Sequence, residues 1–394
     1  MADTPYWLVE PALQHLFAHT REMGGEARVV GGAVRDFLLH RDGGDIDIAS
    51  TLPPEATMAI AEAAGWKAVP TGLAHGTVTL VLPNRVVEVT TLRRDVETDG
   101  RHAQIAYTND FAEDAARRDF TMNALFMDAA GTIHDYTGGQ KDLEARRLVF
   151  IGDAETRITE DALRILRYFR FLATHGKPPA DSAAVAACEG HKAMIANLSG
   201  ERIAQEMRKL LTAANPAYAL GQMAAIGLHE YLTESPWHGT ALLRLLELEQ
   251  RYNISPNGWV RLLALIAPDV RSETAHWIGE RWKLSRAERL LLGTLAHVES
   301  TIDTAVVKEW LRAYDRPLVI GRLLLSAVDT EDANPITPLL ELARQWPIPE
   351  FPVSASDLLR LGYSEGKELG DALRVLERRW VDSGYQLTRQ ELLA

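Results

Sequence analysis

The strand-like patterning of this chain stops near residue 153, and that change limits what it can fold into. Before it, β-branched runs at 28–30 (RVV), 45–49 (DIDIA), 77–82 (TVTLVL) and 85–92 (RVVEVTTL) alternate with helical stretches predicted at 6–23, 33–41 and 54–64. TVTLVLPNRVVEV reads as a hairpin turning at Pro83–Asn84, and FMDAAGTIHDY as a second one turning near Gly131. Residues 94–107 are polar, contain Gly100 and read as a mobile loop. Beyond 153 come long helical stretches such as AETRITEDALRILRYFRFLATHG and ERIAQEMRKLLTAA, broken at Asn215–Pro216, Ser255–Pro256 and 346–352. The fold class expected is α+β, a mixed β-sheet with helices in the N-terminal part, followed by an all-α remainder.

A chain of 394 residues suggests two to three domains. No apolar run approaches the ~18 residues of a membrane span, and the acidic start does not resemble a secretory signal. The single cysteine, Cys188, cannot form an internal disulfide or a cysteine-based zinc site, which fits a reducing cytoplasm. A net charge of −12 argues against indiscriminate nucleic-acid binding. Of the 42 basic residues 34 are arginine. A guanidinium fork suits phosphates and base edges, although a GC-rich genome gives the same bias, so position has to decide.

The stretch GGDIDIAS at 43–50 places Asp45 and Asp47 two apart, on one face of a strand, with Ile46 and Ile48 on the other. Two adjacent carboxylates repel unless a cation lies between them. Hard oxygen ligands suit Mg²⁺, which takes one or two carboxylates plus substrate phosphates. In VVEVTT, Glu88 faces away from Val87 and Val89 and can join the pair if the two strands are neighbours; three carboxylates can hold two ions for phosphoryl transfer. The plainer reading is a strand with a solvated acidic face. Upstream, Gly31–Gly32 makes a turn before a helix carrying Arg35, an arrangement that lets backbone N–H groups and a guanidinium approach a phosphate.

GGAVRDFLL followed by DIDIAST resembles the head motif of the class II tRNA nucleotidyltransferase and poly(A) polymerase family, within the polymerase-β-like nucleotidyltransferases. LAHGTVTLVL and VEVTTLR are similar to the strands carrying the third carboxylate. RRDFTMNAL (117–125) resembles the ribose-binding segment, DYTGGQKDL (135–143) the join to the neck, EDALRILRYFRF (160–171) the nucleobase-selecting helix, and SGERIAQEM (199–207) the helix start that braces it. The ordered set spans about 28–211; the tail beyond carries no such motif. The resemblance implies a head at 1–150, a neck at 151–215, and an all-helical, tRNA-binding body and tail at 216–394. It implies metal-bound catalytic carboxylates Asp45 and Asp47 with Glu88 assisting. It implies nucleotide contacts from Gly31, Gly32, Arg35, Arg118, Asp119 and Asn123, with ribose and phosphate contacts from the last three. The loop holding Arg94, Asp95 and Arg101 matches a flexible element that helps switch from C to A addition.

On a continuous helix, Asp161, Arg164 and Arg167 share a face by their spacing of three. Cytosine and adenine each show an amino donor beside a ring acceptor. An aspartate accepts from the first and an arginine donates to the second, whereas uracil and guanine mismatch both. Such a mismatch costs about 1–3 kcal/mol per buried group. The bland alternative is a salt-bridged surface helix, with Glu160–Arg164 at i,i+4. His134–Asp135 is an isolated HD dipeptide in a hairpin and reads as chance. His75 reads as structural, and the tail tryptophans as core.

The function expected is template-independent CCA addition to the tRNA 3′ end from CTP and ATP, Mg²⁺-dependent and cytoplasmic, with no obligate protein partner evident. CC-only, A-only and poly(A) enzymes of the same family remain open. A non-catalytic RNA-binding relative and a small-molecule or protein nucleotidyltransferase are the rivals from other classes.

Overall fold

The computed structural model describes residues 4–41, 44–98, 103–297, 299, 301–330 and 336–394. They divide into two compact units, 1–298 and 299–394. Among the described residues the strands are β1 (Ala27–Val30), β2 (Ile46–Ser50), β3 (Lys67–Gly72), β4 (Thr77–Val81), β5 (Val86–Thr91), β6 (Arg93–Thr98), β7 (Ala103–Tyr107), β8 (Leu125–Met127) and β9 (Ile133–Asp135). Seven form one mixed sheet in the order β3-β4-β5-β2-β1-β8-β9, with β2 and β5 parallel and the other neighbours antiparallel. Both predicted hairpins are present, as β4–β5 and β8–β9.

Alternation sets the register. Ile46 and Ile48 are buried at 2% and 0% exposure while Asp47 between them is exposed. In β5, Val87 and Val89 are buried and Glu88 is exposed. Each buried isoleucine contributes roughly 1.5–3 kcal/mol relative to an exposed one, and a one-residue slip would turn both outward while burying a carboxylate.

The helices of the sheet region are α1 (Pro11–Glu22), α2 (Gly32–Leu38), α3 (Pro54–Ala63), α4 (Phe111–Ala116) and α5 (Gly139–Glu144). α1 starts later than the predicted residue 6, because Pro11 stands in the first turn, where its missing N–H costs nothing. α2 stops short of residue 41, where His40 takes a positive φ of 54°.

Residues 93–98 and 103–107 correct the mobile-loop expectation: β6 and β7 pair antiparallel as a separate two-stranded ribbon. Gly100 and Arg101 lie outside the described residues. Polar composition misled here, since a two-stranded ribbon is held by its backbone ladder and does not require an alternating apolar pattern.

Then follow α6 (Ala154–Glu160), α7 (Leu163–Thr174), α8 (Ser182–His191) and α9 (Gly200–Leu211). Beyond Leu211 the described residues contain helices and no strand, and none of the described helices is long and apolar enough to cross a membrane. The stretch 160–171, expected as one helix, is two. Asp161 is extended (φ −153°, ψ 105°) and ends α6, and its Oδ1 accepts the backbone N–H of Leu163 at the start of α7 (3.0 Å). A short polar side chain that satisfies a free N–H at a helix start favours such a break.

α7 shares a core with the sheet region. Phe120, fully buried, packs against Phe150, Tyr168 and Phe171 with ring centroids 4.9, 6.1 and 5.3 Å apart. In the TGGQ turn, a Cβ on Gly139 would stand 2.1 Å from the Thr121 carbonyl oxygen, so only glycine fits there. Asp135 accepts the backbone N–H groups of Gly138, Gly139 and Gln140 above that turn, and His134 pairs with Asp128. The HD dipeptide thus has structural partners. Of the tail tryptophans, Trp282, Trp310 and Trp380 are buried, and Trp237, Trp259, Trp277 and Trp346 half-buried.

Unit 299–394 has its own apolar cluster of Val353, Leu358, Trp380 and Leu392. Arg389 pairs with Asp357 in the same unit (2.5 Å).

Candidate active site

A cleft of about 540 Å³ opens between the sheet region and α7. The Gly31–Gly32 turn forms one wall. Gly31 has φ +75°, a left-handed value that favours glycine, and donates its N–H to the Leu125 carbonyl (3.0 Å). α2 begins there and carries Arg35 into the wall. Asp45 and Asp47 lie beside it.

Asp47 is exposed to the cleft, yet its carboxyl is pushed up to about 6. Partial burial of the carboxylate among protein atoms is the first cause and neighbouring Glu88 the second; Asp45 adds to the rise and Arg118 opposes it. Glu88 sits beside Asp47 in the parallel ladder, as the strand argument required, but outside the cleft wall. Asp45 precedes β2 rather than belonging to it. Among the described residues no three of the His, Cys, Asp and Glu side chains form a ready-made metal cage. The donor set nevertheless fits a hard cation. Two carboxylates, backed by a third, crowd one another enough to raise a pKa, and a divalent ion bridging substrate oxygens would relieve that crowding.

Arg118, Asp119 and Asn123 line the same cleft. Asp119 is buried. Burial alone would raise its pKa, but Arg167, Asn123 and the N–H of Phe120 together hold it below the ordinary carboxylate range. Arg167 Nε donates to Asp119 Oδ2 (2.7 Å). Arg35 is turned inward: Nη1 donates to Asn123 Oδ1 (2.7 Å) and Nε to Asp36 Oδ1 (2.9 Å).

Asp161 and Arg164 both line the cleft, but not as neighbours on one continuous helix. Asp161 Oδ2 accepts from Arg202 of α9 (2.7 Å). Arg164 pairs with Glu160 and donates to the carbonyls of Arg157 (2.9 Å) and Arg117 (3.2 Å). The Glu160–Arg164 pair of the bland reading is therefore real, and it coexists with a cleft-facing position. Capacity remains on both sides: a carboxylate offers about four acceptor positions, and those bonds leave the Arg164 Nε–H unused.

The structure thus gathers Gly31, Gly32, Arg35, Asp45, Asp47, Arg118, Asp119, Asn123, Asp161, Arg164 and Arg167 around one space, with Glu88 one strand behind. Sequence reasoning missed Asp36, Arg117, Arg170, Phe171 and Lys209, which line it too. Arg117 and Arg170 had a signal, since they continue the arginine spacing of RRD and of the 164–167 helix. Lys209 and Phe171 had none, because only the packing of α9 and α7 brings them here.

The poly A polymerase head domain model matches residues 27–149, and a model for the probable RNA and SrmB-binding site of polymerase A matches 181–237. The CCA tRNA nucleotidyltransferase 1, mitochondrial, of Danio rerio is 36% identical over 380 residues, covering 94% of this chain and 86% of that protein. The CCA-adding enzyme of Anoxybacillus flavithermus is 33% identical, covering 94% and 92%. The crystal structure of the Bacillus stearothermophilus CCA-adding enzyme in complex with CTP superposes with a TM-score of 0.73 at 28% identity, over 95% of this chain and 94% of that one. With that likeness running nearly end to end, the chain belongs to the family of RNA nucleotidyltransferases that holds the CCA-adding enzymes and the poly(A) polymerases.

Proposed function

We propose that this protein adds C, C and A to the 3′ end of tRNA, using CTP and ATP without a template. The observation that carries the reading is that Asp45 and Asp47, and Asp161 and Arg164, all open onto one cleft of about 540 Å³. The 3′-hydroxyl of the acceptor attacks the α-phosphate and pyrophosphate leaves. Asp45 and Asp47, with Glu88 behind them, would hold Mg²⁺, which would supply neutralisation of the charge that develops in phosphoryl transfer. Arg118, Arg117 and the Gly31–Gly32 turn receive the phosphates, and Asn123 and Asp119 set the ribose side.

Asp161 accepts from the amino group of cytosine or adenine, and Arg164 Nε–H donates to the adjacent ring nitrogen. No histidine or lysine base is needed. The relatives' names and the CTP complex support the substrates; the single buried thiol, Cys188, agrees with a reducing compartment such as the cytoplasm.

The test is incubation with a tRNA transcript lacking CCA, Mg²⁺ and all four NTPs, followed by sequencing of the 3′ ends. Ends finishing in CCA are expected. Ends stopping at CC, A added only to CC ends, or long A tracts would each replace CCA addition by a narrower or different member of the family, and no addition would overturn the reading.

A further inference from the structure

Asp114 is absent from the cleft wall and is 1% exposed, yet it grips two of the arginines that line the cleft. Its Oδ1 accepts from Arg117 Nε (2.9 Å) and Nη2 (2.7 Å), and its Oδ2 from Arg118 Nε (3.1 Å) and Nη2 (2.8 Å). Oδ1 also accepts the N–H of Arg93, the first residue of β6 (3.3 Å), and Arg117 Nε reaches back to the Arg93 carbonyl (3.1 Å). The spacing explains the grip: Arg117 and Arg118 stand at i+3 and i+4 from Asp114 as α4 ends.

A guanidinium held side-on through Nε and Nη2 has its plane fixed and its Nη1 edge free. The Arg118 Nη1 lies 4.0 Å from where a Cβ would stand on Gly31, and the Arg118 charge is the one that offsets Asp47. The free edge of Arg118 therefore lies between the glycine turn and the carboxylates. One carboxylate shared by two guanidiniums also leaves a net positive charge facing the cleft.

We propose that Asp114 is a positioning residue for nucleotide binding, presenting the Nη1 edges of Arg117 and Arg118 to the phosphates of the incoming nucleotide. This rests on the function proposed above. Asp114 never touches the nucleotide; it acts through the two arginines.

The experiment compares wild type with Asp114→Asn and Asp114→Glu. The first keeps the outline but has one acceptor oxygen and no charge, so it holds one guanidinium at most. The second keeps the charge and moves it by a methylene. Both variants should raise KM for CTP and ATP about tenfold or more, as expected when a binding group is displaced by about an ångström. kcat should fall less, and KM for tRNA should stay within about twofold.

The discriminating readout is a double-mutant cycle with Arg118→Gln. Once that cation is gone, adding Asp114→Asn should raise the nucleotide KM by less than about threefold more, because coupled residues are not additive. A merely structural role predicts the opposite: a lowered Tm with CTP affinity in the folded fraction unchanged by Asp114→Asn in either background. If Asp114→Asn alone fails to fold, the Glu variant and the Asn/Gln double variant decide. Calorimetric titration with CTP and Mg²⁺ separates a failure of the Asp114 role from a failure of the proposed function. A wild type that binds CTP beside variants that bind it as tightly overturns Asp114 alone, whereas a wild type that binds no CTP overturns the proposed function and this inference with it.

Discussion

Asp47 is under electrostatic tension that a cation can relieve, with its carboxyl near 6 and two like charges beside it. Asp47→Asn should therefore separate chemistry from stability. Nucleotide addition is expected to fall by more than ~100-fold, the upper end of what loss of even an outer-shell metal partner costs. The thermal midpoint measured without divalent ions should hold or rise, because one of the repelling charges is gone. Adding EDTA to wild type should stop addition while leaving the circular-dichroism spectrum unchanged. Much of this was legible residue by residue. The period of two put both aspartates and Glu88 on defined faces, and the ladder then set Glu88 opposite Asp47. What was not legible is who holds what. Arg35 spends its donors on Asp36 and on Asn123, 88 positions away, and no local pattern announces such a partner.

At the scale of the element, the break between α6 and α7 matters most. The periodic run through 160–171 suggested one helix, because Asp161 is compatible with helical spacing. Its alternative, closing the first turn of α7 with its own side chain, depends on backbone geometry that spacing does not encode. Asp161 closes the start of α7 and, under the proposed function, also reads the base, and one substitution can separate the two. Asp161→Asn keeps the cap and should admit UTP; Asp161→Ala should also lose the cap, at about 1 kcal/mol of stability. Incorporation assays with single nucleotides and thermal melts read the two effects independently.

α2 and α7 are linked at their far ends, where His175 Nε2 lies 3.5 Å from Asp36 Oδ1. Burial first, then Arg35 and Arg41, hold the His175 pKa below its ordinary value despite Asp36. The unfolded chain then takes up a proton on this group before the folded one does. The contribution is present above the unfolded value of about 6.5 and lost as pH falls below it. Wild type should lose more thermal stability between pH 7.5 and 5.5 than His175→Gln does.

The whole molecule contains two compact units, each with its own buried apolar residues, which was visible in the sequence only as an unmarked run of helices. Leu358 is 2% exposed in the smaller unit. Leu358→Ala should cost that unit about 2–5 kcal/mol. In calorimetry the transition of residues 299–394 should move down, while CTP with Mg²⁺ raises only the transition of the larger unit, since a ligand stabilises the part that binds it. A single transition responding to both would show that the units melt together.

The arginines of the cleft come already paired, even where two share one carboxylate. Arg35 has Asp36, Arg117 and Arg118 share Asp114, Arg164 has Glu160, Arg167 has Asp119 and Arg170 has Glu206. A free triphosphate, unlike a duplex, carries no dense sheath of condensed cations to release, and cations already paired internally hold few small anions for it to displace. The logarithm of nucleotide affinity should then fall only gently with the logarithm of salt concentration, far less than the ~0.9 per phosphate contact seen when bare lysines and arginines meet a duplex. A chain of net charge −12 can in this way handle polyanions one at a time and still ignore the bulk of the nucleic acid around it.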